Sequence, residues 1–149
     1  SNLLLRLLAH PFFAVEPPKS TGREDFNLTW LDAEIARCKE PIAPRDVQAT
    51  ALELTATSIS AQLRTRLPHG GAVYLCGGGA HNLTLRERLD GQLPGITVTT
   101  TAELGIAPDW VEAVAFAWLA HRRLDGAAGN LPAVTGARRQ VVLGGVYVA

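Results

Sequence analysis

The chain has 149 residues, enough for one domain with its own apolar core and no need of disulfides or a structural metal. Lys plus Arg and Asp plus Glu balance at 14 each, so no global field recruits nucleic acid or an anionic membrane, and a polyanion must be met by a local site. The two cysteines, Cys38 and Cys76, fit neither a paired zinc pattern nor C-x-x-C, and they read as reduced structural thiols of a cytoplasmic protein.

The opening Leu3-Leu4-Leu5-Arg6-Leu7-Leu8 is broken by Arg6 and stopped by His10-Pro11, far short of a membrane span. It reads as the end of a helix. A chain that starts inside a helical pattern, with no polar lead-in, suggests a piece of something longer. Pro11, Pro17 and Pro18 then exclude regular helix. Lys19-Ser20-Thr21-Gly22-Arg23-Glu24 forms a polar loop with two cations and two hydroxyls, either a contact for an anion or a solvated connection. From Asp25 to Cys38, Phe26, Trp30, Leu31 and Ile35 fall at helical spacing and predict a short amphipathic helix with a buried aromatic stripe.

Pro44 opens the longest helix, with Asp46 at its positive end and Val47, Leu52, Leu54, Ile59, Leu63 and Leu67 as apolar positions. Its many alanines, serines and threonines predict close packing. Pro68-His69-Gly70-Gly71 ends it and leads into a strand, Ala72–Cys76. Three glycines follow, Gly77-Gly78-Gly79, and Asn82 is placed to cap a helix running to Gln92. Glycine reaches backbone angles closed to other residues, and without a Cβ it lets a base, ribose or phosphate approach the main chain. The helix start adds unpaired N–H groups. Neither the Walker nor the Rossmann spacing is present, so on local pattern alone this turn is either a ligand shelf or a tight connection.

Pro94-Gly95 turns the chain into a second strand, Ile96–Thr100. Pro108-Asp109-Trp110 starts a helix to about Leu124 whose Ala113, Ala115–Ala117 and Trp118–Ala120 are apolar almost all round, which predicts burial between layers. Glu112 in its first turn either meets a ligand or answers the helix dipole. Gly126–Gly136 reads as a loop, Arg138 and Arg139 meet an anion or solvent, and Gln140–Val148 reads as a final strand with a glycine bulge. Strand, helix, strand, helix, strand is an α/β rhythm. Three strands are few for so many helices, so further strands are expected at a sheet edge. His10, His69, His81 and His121 lack metal-ligand spacing, and no serine sits in a nucleophile elbow. His81, in the glycine turn, is the histidine placed in a cleft.

With these blocks in order, the chain resembles the anhydro-N-acetylmuramic acid kinases of bacterial cell-wall recycling. The resemblance is carried by Pro17–Glu24 with Phe26-Asn27 and Trp30-Leu31, and by Cys76–Asn82 with Leu85 and Leu89. It continues through Glu103–Ile106, Glu112-Ala113, Ala115–Ala120, Gly129–Pro132, Thr135–Ala137 and Val142–Gly144. It implies an α/β fold, one ribonuclease-H-like half of an actin-like ATPase, with a mixed sheet and packed helices. Residues 1–149 would be the C-terminal nucleotide-binding domain of a two-domain kinase. By the same resemblance Gly77, Gly78, Gly79 and Asn82 bind the adenosine of ATP. Lys19, Ser20, Arg23 and Glu112 are candidates for the sugar in the inter-domain cleft. ATP and Mg²⁺ are the implied cofactors, anhydro-muramic acid the substrate, and a homodimer a possible assembly. The family's N-terminal glycine-rich phosphate loop and the segment with its general-base aspartate are absent here. The resemblance therefore implies no catalytic residue in this chain and no turnover by it alone. A different sugar kinase of the actin-like group, or a non-catalytic nucleotide- or sugar-sensing module, are the alternative readings.

Overall fold

The computed structural model describes residues 2–147. Helix α1 (Asn2–Leu8) buries Leu3 and Leu7, one turn apart on a single face, and packs against helix α3 (Pro44–Arg66). It gives way at Pro11 to a 3-10 turn, Pro11–Ala14. The aromatic residues that follow cluster with one another: the Phe26 ring lies 4.8 Å from His10, 5.0 Å from Trp30 and 5.7 Å from Phe12, the last two edge to face, the geometry that the ring quadrupoles favour. Helix α2 (Leu28–Ala36) is shorter than the Asp25–Cys38 expected, because Asn27 caps it: its Oδ1 accepts from the Trp30 amide at 2.9 Å. Phe26 therefore precedes the helix, and the aromatic stripe is half-buried where full burial was expected.

Helix α3 (Pro44–Arg66) begins at the predicted proline and buries Thr50, Ala56 and Ser60. These small residues let α1 and helix α4 (Leu83–Gln92) approach α3 closely. Strand β1 (Gly71–Leu75) and strand β2 (Ile96–Thr100) pair in parallel, Gly71 opposite Ile96 and Leu75 opposite Thr100, with helix α4 (Leu83–Gln92) as the crossover between them. Ala56, Leu89, Leu93 and Ile96 form the core, with Ile59, Leu63, Val73, Leu85 and Val98 packed around it. Polar ties close its rim: Arg64 donates to the Gln92 carbonyl at 3.0 Å, and Gln92 to Glu53 at 2.7 Å. At the amino ends of the strands the chain passes so close to itself that a Cβ on Gly70 would lie 2.7 Å from the Gly95 carbonyl oxygen. Only glycine fits there, at φ +86°.

Helix α5 (Val111–Leu124) lies where predicted, but the structure corrects its expected burial. None of its residues is buried, and Phe116 is 70% exposed. It packs on the Pro108–Trp110 turn and is tied to the next segment by Arg122, whose Nε donates to the Ala128 carbonyl at 2.9 Å. Leu119, half-buried, lies beside Gly129, where an added Cβ would come within 3.1 Å of its Cδ2. The loop expected over Gly126–Gly136 contains a short helix, α6 (Pro132–Thr135), ending at left-handed Gly136.

The final strand expected over Gln140–Val148 is a second correction. Residues 140–147 form no strand, and Val148 lies outside the described residues. The Val141 carbonyl accepts from the Gly129 amide at 3.1 Å and the Val141 amide donates to Asn130 Oδ1 at 2.7 Å, so this backbone is bonded to a neighbouring loop. Gly144, at φ +80°, then bends the chain. The mixed three-stranded sheet is thus, among the described residues, a two-stranded parallel one within a mostly helical α/β structure. None of these helices is long and apolar enough to cross a membrane.

Candidate functional site

Two loops leave the carboxyl ends of the parallel strands, the end of an α/β sheet at which ligands bind. The first follows β1. Gly77 takes a left-handed conformation, φ +67°, and a 3-10 turn over Gly78–His81 leads to Asn82. The second follows β2, through a 3-10 turn at Thr101–Leu104, left-handed Gly105 and the Pro108–Trp110 turn into α5. The loops are joined at two points. The Gly77 amide donates to the Pro108 carbonyl at 2.9 Å, and His81 Nε2 donates to Asp109 Oδ1 at 2.8 Å.

Between those two bonds the glycine turn presents backbone to open space. A Cβ built on Gly77 or Gly78 would meet no atom within 4 Å, and one on Gly79 only Leu85 Cδ2, at 3.8 Å. That is the surface a flat base or a ribose needs to lie against a main chain. Asn82 Oδ1 accepts from the Leu85 amide at 3.0 Å, so its oxygen caps α4 and its Nδ2 is the group that remains for a ligand. Glu112 is exposed in the first turn of α5, on the segment that follows Asp109. Gly77, Gly78, Gly79, Asn82 and Glu112 therefore belong to the joined loops and the helix starts beside them.

Lys19, Ser20 and Arg23 attach elsewhere. Lys19 Nζ donates to the carbonyls of Phe12 and Phe13 at 3.0 and 3.3 Å and lies 4.7 Å above the Phe12 ring. With Phe12, Phe13, Ile59 and Leu63 it lines a cavity of about 390 Å³ against α3. Ser20 is exposed. The Arg23 side chain is exposed as well, while its carbonyl accepts from Asn27 Nδ2 at 3.1 Å, next to the α2 cap. Asp109 is the residue that sequence reasoning passed over, taking it only as part of a helix start. Its partner is 28 positions away, and no local pattern signals that pairing. Among the described residues no group of three or more His, Cys, Asp or Glu is gathered to hold a metal ion.

A family model described as anhydro-N-acetylmuramic acid kinase matches residues 1–149. Proteins of that name are similar to this chain throughout. The one from Saccharophagus degradans is 54% identical over 145 residues, 97% of this chain and 39% of that protein. The one from Thiobacillus denitrificans is 50% identical over 149 residues, 100% of this chain and 40% of that protein. The one from Psychrobacter arcticus is 55% identical over 154 aligned positions, 99% of this chain and 35% of that protein. The chain thus spans about two fifths of the length of these relatives.

Proposed function

As the chain belongs to the anhydro-N-acetylmuramic acid kinase family, we propose that it is the C-terminal, nucleotide-binding part of an ATP-dependent sugar kinase. That kinase opens the 1,6-anhydro bond of anhydro-N-acetylmuramic acid with water and phosphorylates O6, giving N-acetylmuramic acid 6-phosphate in peptidoglycan recycling in the cytoplasm. The observation that carries the reading is the family match over every residue, and the open glycine backbone at the carboxyl ends of β1 and β2 supports it. The fold proposed is one ribonuclease-H-like half of an actin-like ATPase, whose other half brings the phosphate loop and the general base.

Bound ATP with Mg²⁺ supplies the transferable phosphoryl group. This chain's residues bind and orient. Gly77, Gly78 and Gly79 offer main chain to the adenosine, Gly77 at a left-handed angle that glycine alone adopts without strain. Asn82 Nδ2 donates to the nucleotide. Glu112, exposed at the start of α5, is the candidate for the sugar beside the joined loops; Lys19, Ser20 and Arg23 lie apart from it, Lys19 held by the Phe12 and Phe13 carbonyls, and would meet the sugar only across the cleft. Without a phosphate loop the chain turns over no sugar by itself. In the complete kinase a homodimer is the proposed assembly.

Gly78 provides the test, because its φ lies outside the left-handed range and its missing side chain faces empty space. Gly78→Leu should leave the melting temperature of the complete kinase in place and weaken ATP binding at least about tenfold by calorimetry, a loss of about 1.4 kcal/mol. Unchanged ATP affinity would remove the turn from the nucleotide site. A substrate panel decides the reaction: anhydro-muramic acid should be phosphorylated and free hexoses left alone. Turnover by residues 1–149 at the rate of the complete kinase would overturn the assignment of this chain as a non-catalytic part.

A further inference from the structure

Three consecutive glycines make the most freely rotating backbone in the chain, and ordering them carries the largest entropy cost per residue. Nothing packs where side chains on Gly77 or Gly78 would be, and within the turn two backbone bonds, from the Ala80 amide to the Gly77 carbonyl at 3.0 Å and from the Asn82 amide to the Gly79 carbonyl at 3.2 Å, are all that shape it. It is held from both ends. The Gly77 amide is bonded to Pro108 and the His81 ring to Asp109, at 2.9 and 2.8 Å, and these two bonds bracket the glycines. The anchoring loop is stiff where it matters, since Pro108 has a fixed φ and opens a 3-10 turn that runs directly into α5.

We propose that His81 and Asp109 form a clasp that keeps the glycine turn in its nucleotide-ready shape, which makes both of them positioning residues for ATP binding. The proposal rests on the reading of Gly77–Gly79 as the adenosine shelf. Core packing does not account for the pair, because the side chains of His81 and Asp109 are 61% and 63% exposed. An ion pair so exposed adds little to global stability. Its effect is local: with the clasp open, the turn spreads over other glycine conformations, and apparent affinity falls in proportion to the fraction still competent.

The test uses the complete kinase with wild-type sequence, His81→Ala, Asp109→Ala, the double variant, Asp109→Asn and Gly78→Leu. Amide hydrogen exchange over Gly77–Asn82 is followed without nucleotide, ATP Kd is measured by calorimetry, and kcat and KM are measured separately. Each alanine variant should speed exchange at Gly77 and Ala80 and raise ATP Kd and KM about two- to fivefold, the range an exposed pair supports, with kcat held. The double variant should do no more than either single one. Asp109→Asn, which keeps an acceptor oxygen, should recover most of the loss. If Gly78→Leu raises Kd while Asp109→Ala changes neither exchange nor Kd, the shelf stands and the clasp is overturned. Single effects that add in the double variant also overturn it. If Gly78→Leu leaves Kd unchanged, the shelf reading fails and the clasp falls with it.

Discussion

Helices α4 and α5 reverse what their compositions suggest. Helix α4, Leu-Thr-Leu-Arg-Glu-Arg-Leu-Asp-Gly-Gln, is largely polar, yet its Leu89 has no exposed surface at all. Helix α5 carries valine, phenylalanine, tryptophan, leucine and four alanines, yet buries none of them. The difference lies in what faces each helix. Helix α4 lies between α3 and β2, so one leucine every turn is enough to close a core. Helix α5 meets the Pro108–Trp110 turn and the segment around Ala128. Burial is thus a property of paired surfaces, and an apolar helix supplies only one of the two.

The comparison breaks or sharpens under three substitutions in this chain, each followed by urea unfolding. Leu89→Ala removes a fully buried side chain from the centre of the core and should cost about 2–5 kcal/mol. A loss below 1 kcal/mol would mean that α4 is not seated on the sheet as described. Asn82→Ala deletes the cap of α4 without touching the core and should cost about 1 kcal/mol. A much larger loss would show that the glycine turn, and not the cap, depends on Asn82. Phe116→Ala should change stability by less than about 0.5 kcal/mol. If its cost approaches that of Leu89→Ala, α5 is packed against something in solution, and the contrast between the helices disappears.

Local chemistry explains which elements were legible. Pro44 sets a helix start by its own φ, Asn82 caps with its own side chain, and Ile96–Thr100 lies between Gly95 and a 3-10 turn, so these boundaries came out where expected or within a residue. At α2 the apolar spacing from Asp25 to Cys38 carried no cap signal, and the Asn27 side chain starts the helix at Leu28. The errors concern partners. Val141, Val142 and Leu143 have the composition of a strand, but a strand exists only where another backbone takes its hydrogen bonds, and Gly129 with Asn130 took those of Val141.

The site divides the same way. The glycine turn was visible as a strand, three glycines and a cap. The bond from His81 to Asp109 was not, since spacing within one segment says nothing about another 28 positions on. Lys19 shows the limit of reading charge. A cation suggests an anion, but an ammonium group is satisfied equally by two carbonyls and an aromatic face, and those of Phe12 and Phe13 lie closest.

The parallel pairing of Gly71 with Ile96 also governs the order of assembly. A tight hairpin could bring two antiparallel strands together early, but β1 can find β2 only after the chain has travelled the length of α4 and returned. The entropy of closing that loop must be met before any sheet hydrogen bond forms. Leu89 and Leu93 pack against Ile96, so the docking of α4 and the pairing of the sheet are expected to be one kinetic step, and a φ-value near 1 for Leu89→Ala would report it.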